Sequence, residues 1–177
     1  MFLGFAAVAC SDTVSNVQTA DAEAGGGEDD PVAAKVITAA PGTFEVSLEE
    51  EASQRLERRL GSGSLGVVRL TVRGLRPRAA KSLKGVGIFI EKPDANAGTP
   101  VDDPHYAGSF VLGLEDSQTM LLNVAPTLAQ LWKSGELAGR KALRITFVPE
   151  PWDDGALPKE FALPFESLTL EVPPDSE

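Results

Sequence analysis

The chain has 177 residues, 42% of them apolar, which is room for one cored domain plus a tail rather than two full domains. Sixteen Lys and Arg stand against 26 Asp and Glu, a net charge of −10; a chain of that sign repels phosphate backbones, so sequence-independent nucleic-acid binding is excluded. One histidine, His105, and one cysteine, Cys10, exclude an internal disulfide and a Cys/His metal cluster, and a mean hydropathy of −0.05 excludes a multi-span membrane protein.

Residues 1–10 read MFLGFAAVAC. The apolar run is far shorter than the roughly 20 residues a bilayer span needs. It is similar to the end of a secretory signal, an apolar stretch that gives way to small and then polar residues. With Cys10 directly after Val8 and Ala9, it also resembles a bacterial lipoprotein signal, whose cysteine is lipidated. Ala7 stands where that pattern prefers Leu, and the first basic residue of the chain is Lys35. The expectation is export to a bacterial cell envelope or secretion, with Cys10 as the lipid attachment point and a membrane tether. The alternative is an apolar terminal segment with a free thiol. Residues 11–39 then form an acidic tether. From Ser11 to Ala34 there are three consecutive glycines, six acids, no base and no aromatic residue, so too little apolar surface is available to offset the entropy of ordering.

The folded domain is expected over residues 40–177. Phe44, Val46 and Leu48 alternate with Glu45 and Ser47; Val68, Leu70 and Val72 with Arg69, Thr71 and Arg73; Val86, Ile88 and Ile90 with Gly87, Phe89 and Glu91; Leu143, Ile145 and Phe147 with Ala142, Arg144 and Thr146; and Leu168, Leu170 and Val172 with Thr169 and Glu171. Period-two alternation of this kind marks strands with one wet and one buried face. Phe110, Leu112 and Leu114, and Met120 with Leu122, add two weaker ones, for about seven in all. Two segments read as short helices. Glu49 to Leu60 has acids in its first turn and arginines in its last, as the helix dipole favours. Pro126 to Trp132 starts on a proline. Strands that do not alternate with helices, separated by Gly- and Pro-containing turns, predict an all-β fold: an antiparallel, Greek-key or jelly-roll-like β-sandwich.

No catalytic motif is present. A Ser-His-Asp hydrolase would have to use His105, and no GxSxG elbow accompanies it. A loop histidine beside Asp102 and Asp103 reads first as a solvated turn residue. Asp94, Asn96, Asp102 and Asp103 supply oxygen ligands that suit a hard cation, but in no EF-hand spacing. Residues 61–66, GSGSLG, lack the lysine of a phosphate loop. The chain is therefore expected not to be an enzyme and to carry no cofactor.

Residues 86–113, VGIFIEKPDANAGTPVDDPHYAGSFVLG, resemble the C-terminal domain of tyrosinases and polyphenol oxidases. In that family a hydrophobic strand enters an acidic, proline-containing loop and returns as an AGSFV element. Phe89 holds the first place here, and Tyr106, Ala107, Gly108, Ser109 and Phe110 the second. The downstream order agrees: a strand at Thr119 to Asn123, a helix from Pro126, RITFVPE from Arg144 to Glu150, and a last strand from Leu168 to Val172. The similarity covers about Ala40 to Val172. It implies a β-sandwich that, in the enzymes, lies over the dicopper site of a separate helical domain and keeps the enzyme latent. The catalytic domain itself is missing. A type-3 copper pair is held by imidazoles from several histidines and this chain has one, so self-contained phenol oxidation is excluded by counting ligands. The resemblance thus implies a non-catalytic accessory domain that shields, or helps mature, a separately encoded dicopper oxidase. Trp152, Phe161 and Phe165 are candidate partner contacts, with core packing as the alternative. Two other readings stay open: an orphan envelope binding module, and a fragment of a tyrosinase whose catalytic domain is encoded upstream.

Overall fold

A computed structural model describes residues 35–63, 66–77, 82–152 and 155–174. Cys10 and residues 11–34 of the expected tether lie outside the described residues. Within them are nine strands and two helices: β1 (Lys35–Thr38), β2 (Gly42–Ser47), α1 (Glu50–Ser62), β3 (Arg69–Leu75), β4 (Leu83–Ile90), β5 (Tyr106–Phe110), β6 (Gln118–Asn123), α2 (Ala125–Lys133), β7 (Ala142–Pro151), β8 (Ala162–Phe165) and β9 (Ser167–Glu171).

The strands build an antiparallel all-β sandwich. One sheet has the order β2-β7-β4-β5, the other β6-β3-β9, and β1 pairs with β8. Only β4 and β5 are both bonded and consecutive in the chain; every other ladder joins strands distant in sequence, as Greek-key connections require. β1 lies inside the stretch expected to be tether, and its Ile37 is fully buried. Core-forming structure is therefore already present ahead of residue 40, within residues 35–38. β8 escapes sequence reading because it is four residues long and contains Pro164. The strand expected at Phe110 to Leu114 lies earlier, at Tyr106–Phe110. Gly108 there has φ +134°, and the β4–β5 ladder slips between Ile88 and Phe89, so the local period is broken.

β3 organises the smaller sheet. Its first five residues pair with β9, from Arg69 opposite Glu171 to Arg73 opposite Ser167. Beyond that, Glu166 N–H donates to Arg73 O at 2.9 Å and Arg76 N–H to Pro164 O at 3.2 Å, which carries the contact over to β8. The change happens at Gly74, which has φ +68° and sits in the register shift against β6. A Cβ at this position would force the exposed Glu166 side chain to move aside, and the positive φ is what calls for glycine here.

The two sheets, both helices and β1–β8 share one core. Leu56 and Leu60 of α1 and Leu128 and Leu131 of α2 point into it. At its centre Phe147 meets Phe44, Phe165 and Phe110, with ring centroids at 5.5, 5.8 and 6.4 Å and tilted or edge-to-face orientations. Such pairs add to the stabilisation from burial alone. Replacing Phe147 with Ala removes a fully buried ring and three of these contacts. The expected cost is about 3–5 kcal/mol, read as a lowered urea midpoint at unchanged slope.

Candidate functional site

The two ends of the larger sheet differ in chemistry. At the end where β4 finishes and β7 begins, the chain builds a charged clamp. Glu91 follows β4 with φ +57°, a conformation that costs a non-glycine residue energy. Its side chain is 1% exposed. One carboxylate oxygen accepts Arg144 N–H at 2.8 Å; the other accepts Arg144 Nε and Nη2 at 3.1 and 2.9 Å and meets Arg140 Nη1 at 3.0 Å. The Glu91 N–H donates to Arg144 O at 2.8 Å. Alternation alone reads Glu91 as an ordinary wet position, and sequence reasoning missed it.

The loop after Glu91 folds back onto the same clamp. His105 Nδ1–H donates to the Ile90 carbonyl at 2.8 Å, and Nε2 lies 3.5 Å from a Glu136 carboxylate oxygen. Asp103 accepts the His105 N–H at 2.9 Å and pairs with Lys92 at 3.3 Å. Asn96 turns inward on its own loop, with Oδ1 accepting the Gly98 N–H and its N–H donating to Thr99 Oγ1, both at 2.9 Å. Asp94, Asn96, Asp102 and Asp103 are therefore not gathered as cation ligands. Among the described residues no group of three or more His, Cys, Asp or Glu side chains is placed to hold a metal.

Burial pushes the Asp103 carboxyl up, but the His105 N–H and the Lys92 ammonium outweigh it and hold the group below its ordinary value of 3.8. A depressed native value means that the ionised group adds stability above pH 3.8, and the addition fades as pH falls below 3.8 through the native value. Asp103→Asn is expected to lower the urea midpoint near neutral pH, with the wild-type and variant curves converging in acid. For the clamp, Glu91→Ala leaves two guanidinium groups without their shared anion. Both arginines reach solvent, so the expected loss is about 3 kcal/mol, at the low end for a broken buried pair, measured by equilibrium unfolding.

The AGSF element proves to be structural. Phe89 is buried in a small second cluster with Ala95 and Val148, against which Tyr106 packs at a ring-centroid distance of 5.3 Å. Ala107 packs on the main core and Phe110 is buried in it. Gly108 lies where a Cβ would press on Leu122 of β6 at 3.0 Å, so it sets how closely β5 and β6 approach. Ser109 is exposed, opposite Gly87. Of the three aromatic contact candidates, Phe161 and Phe165 are buried in the core and present no surface to a partner. Phe165 stacks edge-on against Phe44 at 5.2 Å and against Phe147. Only Trp152 reaches the surface, 62% exposed.

Trp152 belongs to the opposite, apolar end. β5 and β7 both run antiparallel to β4, and their C-terminal ends meet its beginning: Phe110 pairs with Val86 and Pro151 with Leu83. The residues that follow project beyond the sheet. They include Val111, 62% exposed, Leu114, 96% exposed, and Trp152. The apolar residues at 112 and 114 looked like strand positions, so the sequence carried no sign that Leu114 is presented to solvent.

No family model matches the chain, and no curated protein matches it. Among solved structures, it is similar to latent aurone synthase (polyphenol oxidase) from natural source, with a TM-score of 0.50 and 15% identity over 79% of this chain and 26% of that one. The recombinantly expressed enzyme co-crystallised with hexatungstotellurate(VI) gives 0.50 and 15% over 77% and 25%. The chain thus spans about a quarter of the length of these structures. At this identity the likeness is one of fold: the β-sandwich described here is a fold found within latent polyphenol oxidase.

Proposed function

We propose that this domain is a non-catalytic cover for a dicopper phenol oxidase, shielding that enzyme or assisting its maturation, and that it docks through its apolar end. The observation that carries the reading is the display of Leu114, Val111 and Trp152 at one end of a fold that occurs within a latent polyphenol oxidase. Val111 and Leu114 follow β5 and Trp152 follows β7, two strands that both run antiparallel to β4. The copper belongs to the partner on this reading. This chain has one imidazole, and both nitrogens of that ring face Ile90 O and Glu136, which does not fit a copper pair. Export and tethering through Cys10 are part of the proposal and rest on the signal-like residues 1–10.

A second reading keeps the same surface but places the oxidase on the same, longer polypeptide. Its support is that the chain spans about a quarter of the matched structures. An N-terminal extension of the reading frame that encodes His-rich helices would favour it over a separate partner.

The experiment is capture from the envelope fraction of the source organism with the full chain as bait, followed by copper analysis and a catechol oxidation assay. A copper protein recovered in near-equal amount, with oxidation rising when the bait is removed, supports the cover. Recovery of bulk envelope proteins without copper overturns it. Leu114→Asp is expected to weaken capture by about tenfold or more while leaving the thermal midpoint unchanged, because the side chain packs against almost nothing.

A further inference from the structure

The sandwich is open along one side. β2 is bonded only to β7, and β9 only to β3, so each leaves one backbone edge unpaired among the described residues. Between these two edges, and under α1, runs an open groove of about 940 Å³. Its walls carry Lys35, Arg55, Arg69 and Arg73, which is unexpected in a chain of net charge −10. The concentration is local: residues 55–84 hold nine Lys and Arg and a single acid, Glu57.

These cations are incompletely used. Glu171 takes up Arg73 at 3.7 Å, and Glu51 lies 3.7 Å from Arg55 Nη1. Arg55 Nε is nevertheless buried without a hydrogen-bond partner, and Thr71 Oγ1 is the other buried side-chain atom in that state among the described residues. Thr71 is 1% exposed. It lies on β3 between Arg69 and Arg73 on the same face, and opposite Thr169, which lines the groove. Buried polar groups are nearly always paired, so the unpaired Arg55 Nε in the groove wall points to a missing acceptor there; Thr71 lies beneath the wall and does not line it. Acids are present too: Glu45 and Glu49 come from β2 and the turn into α1. They select against a diffuse polyanion and favour an occupant whose charges fall on the β3 side.

We infer that this groove binds an extended acidic peptide segment of a partner protein, which adds to a free strand edge and places its carboxylates against Arg55 and Arg69. Edge addition supplies main-chain hydrogen bonds and side-chain charge sets the choice of partner. The inference uses none of the residues of the apolar end and stands apart from the cover reading.

The test is fluorescence polarisation with the full chain and two short labelled peptides, one alternating Glu and Val, the other Lys and Val. The Glu–Val peptide is expected to bind in a salt-sensitive way and the Lys–Val peptide not to bind. Arg69→Glu and the milder Arg55→Gln are each expected to weaken binding by about tenfold. Arg58→Glu, which makes the same charge change on α1 outside the groove, leaves binding unaltered. Methylating alternate peptide nitrogens of the probe abolishes binding, since the edge bonds are lost. Thermal melts establish that each variant is folded. No binding, equal binding of both peptides, an equal loss in Arg58→Glu, or full retention by the N-methylated probe overturns the inference.

Discussion

A carboxylate taken almost wholly out of water governs one end of this molecule. Removing Glu91 from solvent costs several kcal/mol, and its positive φ adds to that cost. The fold offsets both by giving each carboxylate oxygen a charged or backbone donor from β7 or the segment before it. The clamp thereby fixes where β4 stops and β7 starts. It also sets the position from which the following loop returns, with His105 bonded to the carbonyl just before Glu91. Asp103 and Lys92 then close the loop on itself. The histidine, the most conspicuous single residue of the chain, is engaged in holding this loop.

The consequence is an asymmetric sandwich. The clamped end holds the buried Glu91 network and exposes Val101 in its loop, while the segments after β5 and β7 expose Val111, Leu114 and Trp152. Between them the core is anchored by an aromatic cluster centred on Phe147, to which β2, β5, β7 and β8 each contribute a ring.

The edges of the sheets tell a complementary story. On one side β5 and β6 approach closely at Gly108 and Leu122, with little room left between the sheets. On the other, β2 and β9 stay apart and leave a basic groove. Unprotected strand edges are liabilities in most proteins, and here the arginines and lysine along the groove blunt the edge against uncharged strands while leaving it open to an acidic one.

Much of the fold was legible in the sequence because alternation reports burial directly: a strand half in water must change polarity every residue. Phe44 and Val46 of β2, set between the exposed Thr43, Glu45 and Ser47, follow that rule, whereas β4 is buried on both faces, Gly87 and Phe89 as well as Val86, Ile88 and Ile90, so the wet face expected there is absent. The likeness to the polyphenol oxidase sandwich rested on the order of the strands. What alternation cannot say is which apolar residues find a partner layer. Phe161 and Phe165 looked as available as Trp152, yet tertiary packing buried the first two; Leu114 looked like a strand residue and stands in water. β1 and β8 were too short to show a period, and they pair with each other across more than a hundred residues of sequence while burying Ile37, Leu163 and Phe165 in the shared core. Glu91 and the groove cations had ordinary sequence contexts as well. Their meaning depends on groups brought close by the fold, and electrostatic energy depends on distance in space and on burial, neither of which is written in the order of residues.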